Sequence, residues 1–283
     1  MGRFSRTWQL FKESFAVLAE DSKLLIFPAC SGISLVLLGA SFFIPLYHDG
    51  TLQAVARHKG TWDDYAVLFA WYYLNFFVGI FFNSALMGCA NIRLSGQQPT
   101  VGAGFRIALS RLGSIAAWAL VAASVNVVLS SLRDRNNKLL SIVAAGLSLA
   151  WSLITYLIVP VLLFEDRGVF DSLHRSQELF RSHWGEQVAG GFGFGLLSTV
   201  LSIPAVLVAL ACWRVDPIAG IILGAVYLLI LATVVSAVRG VFTVALYRYA
   251  TAGAAPPGFS AGVIDGALGG RRQIAEQAPW DAY

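Results

Sequence analysis

Six long apolar runs, each long enough to cross a lipid bilayer, divide this sequence. They cover residues 24–46, 65–92, 112–132, 139–164, 187–212 and 218–250. A membrane-spanning helix needs roughly 20 apolar residues to cross a hydrocarbon core about 30 Å thick. None of the runs has the alternating pattern of a transmembrane barrel strand. The sequence therefore predicts an all-α integral membrane bundle of six transmembrane helices, as one domain over residues 1–268 with a short cytoplasmic tail at 269–283.

Composition and charge support this prediction and give the bundle an orientation. Of the 283 residues, 57% are hydrophobic and 13% are charged, whereas soluble domains carry roughly 25% charged residues. Apart from the basic loop 133–138, lysine and arginine lie mostly in the segments that are on the same side of the membrane as the N-terminus. An excess of these residues is typical of the cytoplasmic side. We therefore expect a multi-pass protein of the cytoplasmic membrane with both termini in the cytoplasm. The net charge of +4 reflects this topology and does not indicate a nucleic-acid partner.

Three amphipathic segments, at 4–19, 101–111 and 168–184, each precede two of the apolar runs. Their apolar side chains recur at helical spacing: Phe4, Trp8, Phe11, Phe15 and Leu18; Val101, Phe105, Leu109 and Leu112; Phe170, Leu173, Phe180 and Trp184. Their other faces are basic, and helices of this kind lie in the membrane interface, so we expect Trp8 and Trp184 to contact lipid. The unit of interfacial helix plus helical hairpin thus occurs three times, which predicts a three-fold internal repeat.

Arg239 interrupts the last apolar run. Aligning residues 79–91 with residues 239–251 places Gly79 opposite Arg239, so a repeat does not require a charge there. Arg239 comes about 31 Å after Ile218 along a helix, near the cytoplasmic edge of the core. We expect it to be an interfacial anchor or, alternatively, part of a specific site for an anionic ligand, and Arg248 to contact lipid or an anion as well. Partners that could reach Arg239 are a lipid phosphate or acids at the inner helix ends: Asp21, Glu165, Asp166 and Glu186.

Glycine and proline residues in the runs predict packing and kinks. Gly191 with Gly195, and Gly220 with Gly224, have the spacing that allows membrane helices to approach closely. The glycine-rich stretch 190–195 superficially resembles a phosphate-binding loop, but no strand precedes it. Prolines that can kink or interrupt a run occur at four positions: Pro28, Pro45, Pro160 and Pro204.

No recognised catalytic or metal-binding motif occurs in the sequence. The GxSxG, HExxH and paired-carboxylate arrangements are missing. His48, His58, Asp63 and Asp64 come close in sequence but lack a known ligand spacing. None of the three cysteines is within a short spacing of another, which excludes a CxxC site. We expect no cofactor, no metal and no enzymatic activity.

Two stretches resemble a known family. Residues 6–33, RTWQLFKESFAVLAEDSKLLIFPACSGI, combine an aromatic-rich helix, an acidic-Lys turn and the pattern LLxFPxxSGI. With ALYRYA at 245–250 and its Pro/Gly sequel, they resemble a family of prokaryotic multi-pass membrane proteins known as a domain of unknown function, over residues 6 to about 268. More loosely, interfacial helices before hairpins look like the membrane domain of glycerophosphodiester phosphodiesterases, whose catalytic domain this chain lacks. The resemblance implies an architecture and no function.

Three classes of function stay open. Interfacial aromatic helices and glycine packing faces favour a non-enzymatic membrane protein that organises lipid or partner proteins at the cytoplasmic face. Its partners would be membrane lipids, a second copy or another membrane protein. Arg239 and the prolines support the alternative of a transporter or channel for a small or amphiphilic solute. An intramembrane enzyme is the second alternative, without an evident nucleophile or metal site.

Overall fold

The computed structural model describes residues 3–50, 61–133, 138–183, 199, 201–204, 207 and 217–260, and these parts of the chain contain helices and no strands. The helices are α1 (Arg3–Glu20), α2 (Ile26–His48), α3 (Trp62–Arg93), α4 (Val101–Ser110), α5 (Leu112–Arg133), α6 (Lys138–Ile154), α7 (Ile158–Phe164), α8 (Val169–His183) and α9 (Pro217–Ala252). A short 3-10 helix, Ser22–Leu25, lies between α1 and α2. The predicted all-α class is confirmed.

Five helical segments in the described ranges are long and apolar enough to cross a membrane. They are Ser22–His48, Trp62–Arg93, Leu112–Arg133, Leu139–Phe164 and Ile218–Ala252. The protein is therefore a multi-pass helical membrane protein. The remaining predicted span, 187–212, falls mostly outside the described residues, and the tail at 269–283 lies wholly outside them. The total of six spans stays a prediction.

Threonine caps determine where α3 and α4 begin. The Thr61 side chain accepts a hydrogen bond from the Asp64 N–H, and the Asp64 carboxylate accepts one from the Thr61 N–H at 2.7 Å. The Thr100 side chain accepts a hydrogen bond from the Ala103 N–H at 3.2 Å. Each bond satisfies a donor that the first turn of a helix leaves unpaired. Both helix starts therefore follow from local sequence.

The fourth predicted span, 139–164, is not one continuous helix. It ends as α6 at Ile154 and resumes as α7 at Ile158. Pro160 explains the interruption, because proline cannot donate to the carbonyl four residues earlier and its ring clashes with that carbonyl, which belongs to Tyr156. The expectation that Pro160 can break a span is confirmed.

A serine of α8 compensates for the break. The Ile158 N–H bonds to the Thr155 carbonyl at 3.2 Å instead of to Ile154. The Ser176 hydroxyl donates to the Ile154 carbonyl at 2.6 Å. Because an unpaired buried carbonyl is costly, this bond stabilises the interruption and fixes α8 beside it.

Contacts between helices concentrate at one end of the bundle, which we call the packed end. There α1, α4, α7 and α8 lie against the C-terminal halves of α3 and α9. We call the opposite end, where α2 finishes at His48 and α3 begins at Trp62, the open end. Large apolar side chains of α2, α6 and the first half of α9 are exposed toward the open end, as is typical of membrane-facing helices.

The ends of α3 and α9 that align in sequence also lie side by side at the packed end. Both residues are buried in three of the four matched pairs: Ala85 with Ala245, Leu86 with Leu246, and Ala90 with Ala250. Equivalent positions therefore have equivalent surroundings in these two helices. The three-fold repeat as a whole stays a prediction, because much of its third unit lies outside the described residues.

Two glycines let α4 and α9 approach α3 closely. A Cβ on Gly104 of α4 would lie 2.7 Å from the Ala85 carbonyl oxygen, the Cys89 Sγ and the Phe27 Cζ. A Cβ on Gly240 of α9 would lie 2.5 Å from a leucine methyl of α3. Small residues permit such contacts between membrane helices. Neither glycine is among those that the sequence indicated as packing residues.

Candidate functional site at the packed end

Helix α1 has three distinct faces. The face buried against the bundle consists of Leu10, Ser14, Val17 and Leu18. Trp8, Phe11 and Phe15 form a second face, the aromatic stripe, with ring centroids 5.7 Å and 6.2 Å apart in succession. Trp8 is 39% exposed and Phe15 is 45% exposed. The third face is polar and includes Lys12, whose Nζ lies 5.7 Å from the centroid of the Trp8 ring. This arrangement suits a helix at a membrane interface.

The apolar faces predicted for the three amphipathic helices are not single surfaces in the structure. Leu18, predicted to lie with the aromatic residues of α1, is buried in the protein. Leu109 of α4 is exposed, and in α8 Phe170 is 71% exposed whereas Phe180 is buried. Protein-facing and lipid-facing side chains are equally apolar in a membrane, so periodicity alone cannot separate them. Only the packing of each helix decides which of its apolar residues stays available.

Glu165 joins three helices at the packed end. Its Oε2 lies 2.8 Å from the Arg167 Nε and 3.5 Å from the Arg175 Nε of α8. Its Oε1 accepts a hydrogen bond from the Tyr247 hydroxyl of α9 at 3.3 Å. The Glu165 side chain is only 17% exposed, and the two guanidinium groups compensate its charge. The cluster therefore ties α7 to α8 and α9.

Two exposed ion pairs add further links between the helices. Arg93 of α3 pairs with Glu20 at the end of α1. Arg111 pairs with Asp166, which follows α7. The hydrogen bond and the charge of Arg111 lower the pKa of the Asp166 carboxyl below its ordinary value. Exposed pairs contribute little stability each, so their main effect is to fix the relative positions of the segments.

The segment after α9 folds back onto α1. Ser260 donates its hydroxyl to the Glu13 carboxylate at 2.8 Å and its N–H to the same carboxylate at 3.3 Å. Phe259 is buried in the core of the packed end. Gly258 has a φ of +86°, a conformation that glycine adopts without strain. Helix α1 is therefore held from both sides, with Trp8 and Phe15 of the aromatic stripe exposed.

The side chain of Arg248 in α9 forms hydrogen bonds within the protein. Its Nη1 donates to the Asn91 carbonyl at 3.1 Å, to the Asn91 Oδ1 at 3.3 Å and to the Ser95 Oγ at 2.6 Å. These bonds connect the last turns of α9 and α3. The predicted contact of Arg248 with lipid or an anion stays a prediction.

Arg239 differs from Arg248, because its side chain is exposed and has no ion pair or hydrogen bond with a described residue. The acids expected to reach Arg239 are engaged elsewhere: Glu165 and Asp166 pair with other arginines, and Asp21 caps the 3-10 helix. The fourth acid, Glu186, lies outside the described residues. Arg239 is therefore available to a ligand from outside the described protein.

The surroundings of α9 change at Arg239. Large apolar side chains before it, such as Ile221 and Ile230, are exposed, whereas residues 240–247 are buried. One turn later, the Thr243 hydroxyl donates to the Arg239 carbonyl at 2.8 Å and lies 3.4 Å from the Tyr156 hydroxyl at the break in the fourth span. Arg239 thus lies where the membrane-facing half of α9 passes into the protein-covered half.

Several polar side chains at depth are satisfied within their own helices. Asn75 donates to the Trp71 carbonyl at 2.7 Å. Asn126 donates to the carbonyl four residues earlier at 2.8 Å, and Thr155 does the same at 2.8 Å. Within the described chain, no three His, Cys, Asp or Glu residues come together as metal ligands would. The prediction that the protein is not an enzyme stays a prediction.

Most of the chain matches one known protein family. Residues 63–258, from the first turn of α3 to just beyond α9, match a family described as "Family of unknown function (DUF6159)". The chain belongs to this family. The predicted membership of a family of unknown function is confirmed, although the quoted stretch 6–33 lies outside the matched residues. No curated protein and no solved structure matches the chain. The looser likeness to glycerophosphodiester phosphodiesterases has no support.

The remaining predicted site residues of this DUF6159 member lie partly inside and partly outside the described residues. Trp184, Gly191 and Gly195 lie outside the described residues. Gly220 and Gly224 are buried near the start of α9, between exposed apolar neighbours. Their role in helix packing stays a prediction. The candidate site of this DUF6159 protein therefore consists of the aromatic stripe and the exposed Arg239.

Proposed function

We propose that this protein is a non-enzymatic multi-pass protein of the cytoplasmic membrane that organises lipid at the cytoplasmic face through its packed end. The aromatic stripe of α1 carries the proposal. Its three rings are stacked, with Trp8 and Phe15 exposed and Phe11 between them half-buried against the core, while the other apolar face of the same helix is buried in the protein. The bonds of Glu20 and Glu13 hold α1 against the bundle. The stripe is therefore presented in a fixed position.

Burial of the stripe in lipid would stabilise this arrangement. Complete burial of a large apolar side chain is worth roughly 1.5–3 kcal/mol. Trp8 and Phe15 are partly exposed to surroundings other than protein, so part of this free energy is available from lipid. Lys12 beside Trp8 supplies a cation at the level where lipid headgroups lie. Helix α1 thus combines apolar side chains that lipid can bury with a positive charge that lipid headgroups can attract.

Unpaired positive charge supports a cytoplasmic packed end and anionic lipid as its partner. Among the described residues, exposed cations of this end that lack an ion pair are Lys12, Lys23, Arg106, Arg181 and Arg239. Cytoplasmic segments of multi-pass proteins carry an excess of such residues, and anionic lipids of that leaflet attract them. A cytoplasmic location of both termini is accordingly part of the proposal.

The internal bonding of the described spans favours lipid organisation over transport. A polar path needs side chains that are free to bind a solute. Asn75, Asn126 and Thr155 instead donate to carbonyls of their own helices. This bonding leaves the transporter alternative with Arg239, the unbonded side chains of Asn83 and Ser236, and the broken fourth span as its support.

Spin labels at two neighbouring positions of α1 test the proposal. Phe15 lies in the aromatic stripe, and Ala16 is exposed on the polar side of the same helix. In anionic vesicles, a nitroxide at position 15 is expected to be accessible to oxygen at headgroup depth. A nitroxide at position 16 is expected to be accessible to a water-soluble nickel complex. Equal accessibility of the two labels would contradict the proposed role of α1.

A further inference from the structure

The side-chain amide of Asn83 has no hydrogen-bond partner among the described residues of the bundle. Two other asparagines of the membrane-spanning helices, Asn75 and Asn126, donate to carbonyls of their own helices. The Asn83 side chain is half-buried and has no hydrogen bond to a described residue. Its Oδ1 is 3.5 Å from the position that a Cβ on Gly240 would take, so it lies against α9. A polar group at this depth costs free energy unless a ligand or water satisfies it.

Arg239 and Ser236 bring further donors to the same crossing of α3 and α9. Arg239 directly precedes Gly240, the residue that contacts α3. Ser236 comes three residues earlier and is exposed, and residues at this spacing are neighbours on a helix surface. Neither side chain bonds to a described residue. A guanidinium, a hydroxyl and an amide together suit an acceptor-rich anion.

The position of these groups indicates which anion is within reach. Arg239 lies where α9 passes from exposed apolar residues into the packed end. An arginine at the edge of the hydrocarbon core reaches lipid phosphates, and its planar fork can bind phosphate through two parallel hydrogen bonds. No described acid neutralises it. The site therefore has the charge, the donors and the depth for a phosphate.

We infer that Arg239, Ser236 and Asn83 bind the phosphate group of an anionic phospholipid at the α3–α9 crossing. This inference rests on the proposed function in one respect, namely that lipid is the partner of the packed end. It adds a specific site to the general surface of α1. The bound lipid would satisfy the Asn83 amide and neutralise Arg239, and it would connect α3 to α9 on the membrane side of Gly240.

Thermal unfolding of the detergent-purified full chain tests this site. Short-chain phosphatidylglycerol is expected to raise the Tm of the wild-type protein, whereas inorganic phosphate at the same concentration leaves it unchanged. Arg239→Gln is expected to bind phosphatidylglycerol about tenfold more weakly, as expected for the loss of a charge-assisted hydrogen bond. Arg239→Lys is expected to fall between the two, because lysine keeps the charge and lacks the planar fork.

Matched variants separate the site from general charge effects. Arg106→Gln removes one exposed positive charge from α4 and is expected to leave the lipid-dependent rise in Tm intact. Ser236→Ala is a milder change that tests the site if Arg239→Gln does not fold, and it is expected to weaken binding as well. Wild-type binding by Arg239→Gln, or equal loss in Arg106→Gln, would overturn the inference. An Arg239-dependent shift with inorganic phosphate would support the phosphate site and reject lipid as its source. The spin labels on α1 report separately, so failure of one proposal is distinguishable from failure of the other.

Discussion

Replacing Gly104 by alanine should separate α4 from α3 and destabilise the packed end. The new Cβ would lie 2.7 Å from three atoms: the Ala85 carbonyl oxygen, the Cys89 Sγ and the Phe27 Cζ. Ordinary contacts of a Cβ are about 3.5–4.0 Å. The first of these atoms belongs to the backbone, and the other two belong to buried side chains of the core. The carbonyl oxygen cannot move without displacing α3, and the two buried side chains have little room to move.

The magnitude follows from two opposing effects. Overpacking of a filled core costs typically about 1–3 kcal/mol, and three simultaneous contacts place Gly104→Ala toward the upper part of this range. Alanine is favoured over glycine inside a helix by about 1 kcal/mol. The net expectation is a loss of about 2 kcal/mol in the free energy of unfolding. Unfolding in mixed micelles with increasing sodium dodecyl sulfate measures it directly.

Gly102 provides the matched control on the same helix. A Cβ at this exposed position would meet nothing within 4 Å. Gly102→Ala should therefore give only the helix-propensity gain, about 0.5–1 kcal/mol. The two substitutions are expected to change stability in opposite directions. If Gly104→Ala were as stable as the wild-type protein, the close crossing of α4 and α3 would be refuted.

Three further predictions concern charge and topology. The pKa of Asp166 is lowered by Arg111, so the pair adds stability above the unfolded pKa of the carboxyl and loses it as pH falls through the lower folded value. Asp166→Asn should therefore weaken the fall in Tm below about pH 4, near the ordinary pKa of aspartate, and an unchanged pH profile would contradict the pairing. Arg248→Leu should cost about 1–3 kcal/mol, because the acceptors of Asn91 and Ser95 lose a charged donor, whereas Arg239→Leu in lipid-free detergent should unfold like the wild-type protein. With both termini cytoplasmic, cysteines at Asn137 and Gln273 in a background without native cysteines should be labelled by an impermeant thiol reagent from opposite sides. Labelling from the same side would exclude this topology.

Much of the secondary structure could be predicted because its causes are local. The first amphipathic helix was predicted at residues 4–19 and is found at Arg3–Glu20. The short second one was predicted at 101–111 and is found at Val101–Ser110, beginning at its threonine cap. Span length, threonine capping and the effect of Pro160 each act over a few residues. Such features require no knowledge of the tertiary fold.

The candidate site was predictable only in part. The charge of Arg239 in an apolar run identified it, and the aromatic spacing identified Trp8 and Phe15. Nothing in the sequence showed that Arg248 bonds to the protein whereas Arg239 stays exposed, because both are arginines of one apolar helix. The bonds of Arg248 to α3 depend on which turn of that helix lies opposite. The position of Asn83 beside Gly240 is likewise decided by the tertiary structure.

The sequence by itself determined that this chain forms membrane-spanning helices preceded by amphipathic ones, because apolar length and helical spacing are properties of single segments. Only the tertiary structure decided which apolar side chains face protein and which face the membrane. In water, an apolar side chain has a much lower free energy in the core than on the surface, so the pattern of apolar and polar residues in a soluble protein shows which side chains are buried. In a membrane both surroundings are apolar, and the choice between Leu18 inside and Phe15 outside depends on shape and close contact at the crossings of the helices.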